Sequence, residues 1–286
     1  MKGETSYTTL VPTRDLSPHV GDPDWAVVDC RYQLADLTFG RGAYAASHIA
    51  GAVFADILDD LSGPVVPGKT GRHPLPDVGT LARKLSAWGV DGAVQVVAYD
   101  DRGGAMAARL WWLLRWLGHE RVVVLDGGWP AWLEAGLPVR SGREARTRRR
   151  FVPAVRPELV ADAEAVDRVR QDPRWRLLDA RAAGRFRGEN ETIDSVAGRI
   201  PGARSAPYVD NLAPDGRFWP AAELRAHYEG LLNGVLPAHA VCYCGSGVTA
   251  AHNLLAMAHA GLGEGRLYAG SWSEWITDPR RPVAKG

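Results

Sequence analysis

The stretch Val241–Leu255, VCYCGSGVTAAHNLL, decides the fold. It begins as a short apolar run typical of a buried strand, passes through a turn that contains two glycines, and continues with apolar residues at helical spacing. In α/β folds, strands lead into helices in this way, and reactive groups collect where the strands end. The spacing therefore predicts that Cys244 lies in a turn at the N-terminus of a helix.

The same pattern occurs a second time, in residues 96–112, VVAYDDRGGAMAARLWW, where a helix is predicted over Ala105–Leu117. The flanking motifs repeat in the same order: VVDCR (27–31) with LLDAR (177–181), SHIAGAVF (47–54) with GRIPGARS (198–205), and VVLDGGWPAW (123–132) with RLYAGSWSEW (266–275). We therefore predict a duplicated α/β domain, in which each copy is a mainly parallel sheet with helices on both faces.

The predicted organisation has a non-catalytic domain in residues 1–140, an arginine-rich linker in residues 141–157 and a catalytic domain in residues 158–286. The run RSGREARTRRR (140–150) lacks apolar periodicity and precedes two prolines, which is typical of an exposed linker. The alternative for this basic run is a tether to nucleic acid or to a membrane, but one short run between two nearly neutral domains favours the linker.

Composition excludes several classes of protein. The 286 residues carry a net charge of +1, so no overall field favours nucleic acid or an anionic membrane as a partner. No stretch approaches the ~18 uninterrupted apolar residues of a membrane span, and the N-terminus lacks the apolar region of a secretory signal. Three cysteines cannot form a disulfide framework and are too few for an ordinary zinc module. We therefore expect a cytoplasmic protein.

The loop that begins at Cys244 has the features of a nucleophile site. The loop continues through Val248 and Thr249. Gly245 and Gly247 allow backbone conformations that are closed to other residues, so the N–H groups of the loop can point into one concavity. A thiolate there is stabilised by these donors and by the helix dipole. The alternative is a small buried hydrophobe, but the order strand–Cys–Gly–x–Gly–helix favours the nucleophile.

Residues near Cys244, and the matching position in the first half, exclude some of the reactions that a cysteine nucleophile could carry out. Cys242 lies two residues earlier on the same strand, where a core residue is expected, although a Cys-x-Cys redox or metal pair is a minor alternative. Cysteine phosphatases carry an arginine six positions after the cysteine, and here that position is Ala250. In the first half, Asp100 stands where Cys244 stands, so only the second domain is predicted to be catalytic.

The motifs DAR (179–181), RIPGA (199–203), YCGSGVTAAH (243–252) and GSWSEW (270–275) resemble those of tandem-domain rhodanese-type sulfurtransferases over essentially the whole chain. The resemblance implies that Cys244 carries sulfur as a persulfide, with no metal and no organic cofactor. The loop CGSGVT is most similar to 3-mercaptopyruvate sulfurtransferases, which implies that mercaptopyruvate is the donor and a thiol, cyanide or protein the acceptor. The alternatives are a thiosulfate sulfurtransferase and, in another class, a non-catalytic persulfide-binding or regulatory module.

The resemblance also implies roles for single residues. Arg185 would bind the anionic end of the donor, together with the N–H groups of Gly245, Gly247, Val248 and Thr249. Ser246 would relay a proton with His73 and Asp56 of the first domain, so that the catalytic groups straddle the domain interface. Without the family, His73 would be a turn histidine and Asp56 a helix N-cap. The family's second arginine, in a PEPR stretch, is missing, and Arg187 and Arg199 are the candidates to replace it.

Overall fold

A computed structural model describes residues 7–286. Its contacts divide the chain into two compact units. The first unit comprises residues up to Ser62, Pro76–Arg156 and Asp215–Arg217, and the second comprises Gly63–Leu75, Pro157–Pro214 and Phe218–Gly286. Segment Gly63–Leu75 therefore belongs to the second unit although it comes from the first half of the sequence.

The first unit is built on a parallel five-stranded sheet with the order β1-β6-β5-β2-β4. A separate antiparallel pair is formed by β3 and β7. The strands are β1 Leu10–Val11, β2 Trp25–Asp29, β3 His48–Ile49, β4 Val53–Phe54, β5 Gln95–Tyr99, β6 Val122–Leu125 and β7 Val139–Arg140. The helices are α1 Thr13–Leu16, α2 Phe39–Ala46, α3 Val78–Ala87, α4 Ala107–Trp116 and α5 Gly128–Glu134.

The second unit repeats this topology in a parallel sheet with the order β10-β9-β11-β12-β8. The strands are β8 Val160–Ala161, β9 Arg176–Asp179, β10 Arg204–Ser205, β11 Ala240–Tyr243 and β12 Arg266–Tyr268. The helices are α6 Ala163–Val169, α7 Ala183–Arg187, α8 Ala221–Leu232, α9 Thr249–His259 and α10 Ser271–Trp275. The predicted duplicated α/β fold with mainly parallel sheets is confirmed.

The central strands are buried on both faces. Every residue of β2, β5, β6 and β11 is buried, as expected for a parallel sheet covered by helices. Matching tryptophans, Trp132 in the first core and Trp275 in the second, have no exposed surface. Because all the strands of one sheet run the same way, the residues that follow β9 and β11 lie at the same edge, and Cys244 comes directly after β11.

The basic run between the halves contains no helix or strand from Ser141 to Arg156. Arg149 forms ion pairs with Asp24 at 2.7 Å and Asp91 at 3.3 Å, and the Phe151 side chain is buried. This run is therefore tied to the first unit. The division at residues 140 and 158 remains a prediction from the sequence.

Candidate active site

The Cys244 loop is held in one conformation by its glycines and by hydrogen bonds. The Gly247 N–H donates to Cys244 Sγ at 3.1 Å. Gly247 has a left-handed φ of +78°, and a β-carbon added there would lie 2.3 Å from the Ala269 carbonyl oxygen. Only glycine fits both demands. The Cys244 side chain is buried, with 2% of the residue exposed.

A second loop, at the N-terminus of α10, supports the first. Ser271 has an unusual left-handed φ of +55° for a non-glycine residue. Its hydroxyl accepts the Cys244 N–H at 3.0 Å and donates to the Tyr268 carbonyl at 2.9 Å. The Trp272 N–H donates to the Cys244 carbonyl, also at 3.0 Å. These bonds explain why the motif GSWSEW accompanies the cysteine loop, and they add Ser271 to the residues that position it.

The backbone angle of Gly245 does not require glycine, and the ends of two arginine side chains lie next to it. Its φ lies outside the left-handed region, contrary to the expectation from sequence. A β-carbon built there would lie 2.9 Å from Arg72 Nη2 and 3.6 Å from Arg185 Nη1. The residue next to Cys244 is thus covered by two guanidiniums. Arg185 was predicted for this place and Arg72 was not, although Arg72 directly precedes His73 in GRHPLP.

The segment Gly63–Leu75 is anchored within the second unit. A β-carbon at Gly71 would lie 2.4 Å from the Gly270 carbonyl oxygen. The Arg72 N–H donates to Ser273 Oγ at 3.1 Å, and the Gly63 N–H donates to the Pro74 carbonyl at 3.0 Å, which joins the two ends of the segment. Arg72 and His73 are therefore fixed beside the α10 loop.

His73 and Ser246 are in direct contact. A 2.8 Å hydrogen bond joins His73 Nδ1 and Ser246 Oγ, and both residues are buried. Asp56 belongs to the first unit, where its carboxylate accepts the N–H groups of Leu58 at 2.8 Å and Asp59 at 3.3 Å. That pattern is an Asx turn, and no helix follows it directly in the described residues, so Asp56 is not the helix N-cap that was the alternative. The role of Asp56 in a relay remains a prediction.

Two acidic residues hold the guanidiniums. Asp194 forms ion pairs with both Arg72 and Arg185, the latter at 2.8 Å. Glu191 accepts from Arg185 Nε at 2.9 and 3.1 Å. Asp194 and Glu191 lie in the stretch GENETIDSVAG (188–198), which sequence reasoning considered only for its missing arginine.

The two proposed replacements for the second arginine lie elsewhere. Arg187 is paired with Glu189 at 2.8 Å, with both side chains about half exposed. Arg199 stacks on Phe186, 4.5 Å from the ring centroid, and donates to the Gly286 carbonyl. Arg199 therefore secures the segment around residue 286, whereas Arg72 is the second cation at the cysteine loop.

The second cysteine of the pair is unsuited to be a nucleophile. Cys242 has no exposed surface, and its burial, with a smaller contribution from the charge of Cys244, raises the pKa of its thiol far above the ordinary value. A thiol that stays protonated is a poor nucleophile. This supports packing as the role of Cys242.

The loop of the first unit is closed by its own side chain. The carboxylate of Asp100 accepts four backbone N–H groups, at 2.7 to 2.9 Å, from Arg102, Gly104, Met106 and Ala107. The Asp100 side chain therefore occupies the N–H cradle that a bound anion would need. These bonds also set the start of α4 at Ala107, two residues later than predicted.

Known proteins resemble this chain in sequence and in fold. The sequence model of the rhodanese-like domain matches residues 13–135 and 162–278. A "probable 3-mercaptopyruvate sulfurtransferase" of Pseudomonas aeruginosa is 51% identical over 98% of this chain and 99% of its own length. A "putative thiosulfate sulfurtransferase SseB" of Mycobacterium tuberculosis is 39% identical, with coverage of 93% and 92%. The solved 3-mercaptopyruvate sulfurtransferase of Leishmania major superposes with a TM-score of 0.84 at 32% identity, over 98% of this chain and 76% of that one.

Proposed function

This chain belongs to the rhodanese-like family, with two copies of the domain, and we propose that it transfers sulfur from 3-mercaptopyruvate through a persulfide on Cys244. It is thus an enzyme of the sulfurtransferase class, the class that its relatives' names give. The observation that carries the choice of donor is the hydrogen bond between His73 and Ser246. Ser246 follows Cys244 by two positions, so this bond places a proton donor close to the reacting sulfur.

The first half-reaction begins with the Cys244 thiolate, which attacks the sulfur of mercaptopyruvate. A new S–S bond forms while the C–S bond of the donor breaks, and its electron pair goes to the carbon as the enolate of pyruvate. The enolate needs a proton to leave as pyruvate. The Ser246 hydroxyl donates this proton and recovers one from His73.

The loop around Cys244 stabilises the charges of this step. The Gly247 N–H, 3.1 Å from Sγ, favours the thiolate before attack and again when the sulfur has been passed on. The donor's carboxylate lies against the guanidiniums of Arg185 and Arg72, which can donate N–H groups to it. Gly245, Val248 and Thr249 complete the wall of the loop.

In the second half-reaction, the outer sulfur of the persulfide is attacked by an acceptor. A thiolate, cyanide or a protein cysteine forms a bond to that sulfur, and the electron pair of the S–S bond returns to Cys244. The free thiolate is then ready for another donor. No metal or organic cofactor takes part in this scheme.

Thiosulfate is the second candidate donor, because the Mycobacterium tuberculosis relative is named for it. In that case sulfite departs without a proton, and Ser246 has no chemical task. A binding module without turnover is disfavoured by the intact cysteine loop.

Steady-state kinetics with both donors tests the proposal. With cyanide as acceptor, we expect kcat/KM for mercaptopyruvate to exceed that for thiosulfate by about 100-fold, because the proton relay serves only the enolate. Equal values, or a preference for thiosulfate, would reject mercaptopyruvate as the donor.

We also infer a cytoplasmic location without nucleic acid or membrane partners. All three cysteines are free thiols, as in a reducing compartment, and no helix within residues 7–286 is long and apolar enough to cross a bilayer.

A further inference from the structure

The positive charge beside Cys244 is almost fully compensated before any donor binds. Arg72 and Arg185 contribute two positive charges, while Asp194 and Glu191 contribute two negative ones. Arg181 also lies 3.6 Å from Glu191, but its charge is balanced by Asp179 at 2.7 Å. The side chains of both acidic residues are only 3% exposed, so solvent screens them little. An anion that enters this place meets directed hydrogen-bond donors but little net positive charge.

The acidic pair is built into the site. The Glu191 carboxylate accepts the N–H groups of Ile193 and Asp194, both at 3.0 Å, which shapes the turn that presents Asp194. Burial raises the pKa of Glu191, but the hydrogen bonds from Arg185, Asp194 and Ile193 outweigh it and hold the pKa below its ordinary value. Glu191 is therefore ionised at neutral pH and fixes Asp194 between the guanidiniums.

The arginines retain donors on the side of the cysteine loop. Arg185 uses Nε for Glu191 and Nη2 for Asp194, while Nη1 lies 3.6 Å from the position of a β-carbon on Gly245. Arg72 Nη2 lies 2.9 Å from the same β-carbon position and forms only a long bond, at 3.5 Å, to Asp194 Oδ2. One carboxylate can bind these donors with Asp194 in place. A second negative charge on the same ligand would face Asp194 across the guanidiniums.

We propose that Asp194 is a specificity-determining residue, which makes the anion subsite beside Cys244 selective for a singly charged carboxylate over a dianion. It acts through the two arginines and so is a positioning residue, not a catalytic one. The identity of the natural donor rests on the proposed function, but the charge selectivity of the subsite can be measured without turnover.

The test measures how well two non-reactive anions protect Cys244 from alkylation by iodoacetamide, followed by mass spectrometry of the full chain at constant low ionic strength. Pyruvate represents the single carboxylate and sulfate the dianion. In Asp194→Asn, which keeps the shape and removes the charge, we expect the ratio of the dissociation constants, sulfate to pyruvate, to fall about tenfold.

Three further variants test whether the change in the ratio comes from the buried negative charges. Asp194→Glu restores the charge and should keep the wild-type ratio. Glu191→Gln removes the other buried charge and should lower the ratio, as Asp194→Asn does. Glu189→Gln makes the same change in the same stretch, but Glu189 pairs with Arg187 and lies about half exposed, so the ratio should not move.

An unchanged ratio in Asp194→Asn, or equal weakening of both anions, would overturn the proposal, because a merely structural role of Asp194 affects both ligands alike. The proposed function has a separate test. If the wild-type chain releases no pyruvate from mercaptopyruvate while the ratio still falls in Asp194→Asn, the proposed function is wrong and the charge selectivity stands.

Discussion

At the residue scale, the two cysteines that lie one residue apart differ through their surroundings. Cys242 points into the core from a buried strand, where its pKa is raised by burial. Cys244 lies just past the strand end, where it accepts the Gly247 N–H. The sequence already predicted this difference, because it placed Cys242 on the apolar strand and Cys244 in the turn that follows it. The sequence could not indicate the bond from Ser271, because it depends on a left-handed serine in another loop.

The Ser246 hydroxyl can be tested by its removal. In Ser246→Ala, kcat/KM for mercaptopyruvate should fall by about 100-fold or more, because the pyruvate enolate loses its proton donor. The thiosulfate reaction should change little, since sulfite leaves without a proton. Parallel assays with both donors measure the difference, and equal losses on both would argue against the relay.

Asp100 explains why the loop of the first unit is inactive although it is a copy of the Cys244 loop. A carboxylate in the place of the cysteine accepts four N–H groups that would otherwise face a ligand. The sequence predicted the loss of the nucleophile from the aspartate alone. That the side chain also fills the cradle depends on the turn made by Gly103 and Gly104, which is visible only in three dimensions.

At the scale of elements, the segment Gly63–Leu75 delivers two groups to the site from a distant part of the chain. The family resemblance implies His73, but it places the second arginine in the stretch after Arg185 and so does not point to Arg72. Periodicity could not find either residue, because the segment lies outside every named helix and strand and its contacts are long-range. The helices and strands, in contrast, followed from apolar spacing.

The anchor of this segment gives a prediction at the same scale. Gly71→Ala would place a β-carbon against the Gly270 carbonyl oxygen, so the segment must shift. A displacement of about 1 Å at His73 and Arg72 should lower kcat/KM for mercaptopyruvate on the order of 100-fold. Gly42→Ala is the matched control, because no atom lies within 4 Å of its added β-carbon. Wild-type kinetics in Gly71→Ala would show that the segment does not position the site.

At the scale of the whole molecule, the duplicated topology was predictable and the assignment of segments to units was not. Motif order and the repeated Asp29 and Asp179 indicated two copies of one parallel sheet, as observed. The grouping of Gly63–Leu75 with the second unit contradicts the simple notion that each half of the chain builds its own domain. Such an exchange is set by packing around glycines such as Gly71, which a linear pattern does not reveal.

The central claim is that Cys244, and no other cysteine, carries the transferred sulfur. The most direct measurement is intact-protein mass spectrometry after incubation with mercaptopyruvate, followed by peptide mapping and by addition of a thiol acceptor. We predict a gain of one sulfur atom on Cys244 in the wild-type chain and in Cys242→Ser, its loss to the acceptor, and no gain in a folded Cys244→Ser variant. Sulfur found on Cys242 or Cys30, or retained transfer in Cys244→Ser, would contradict the account.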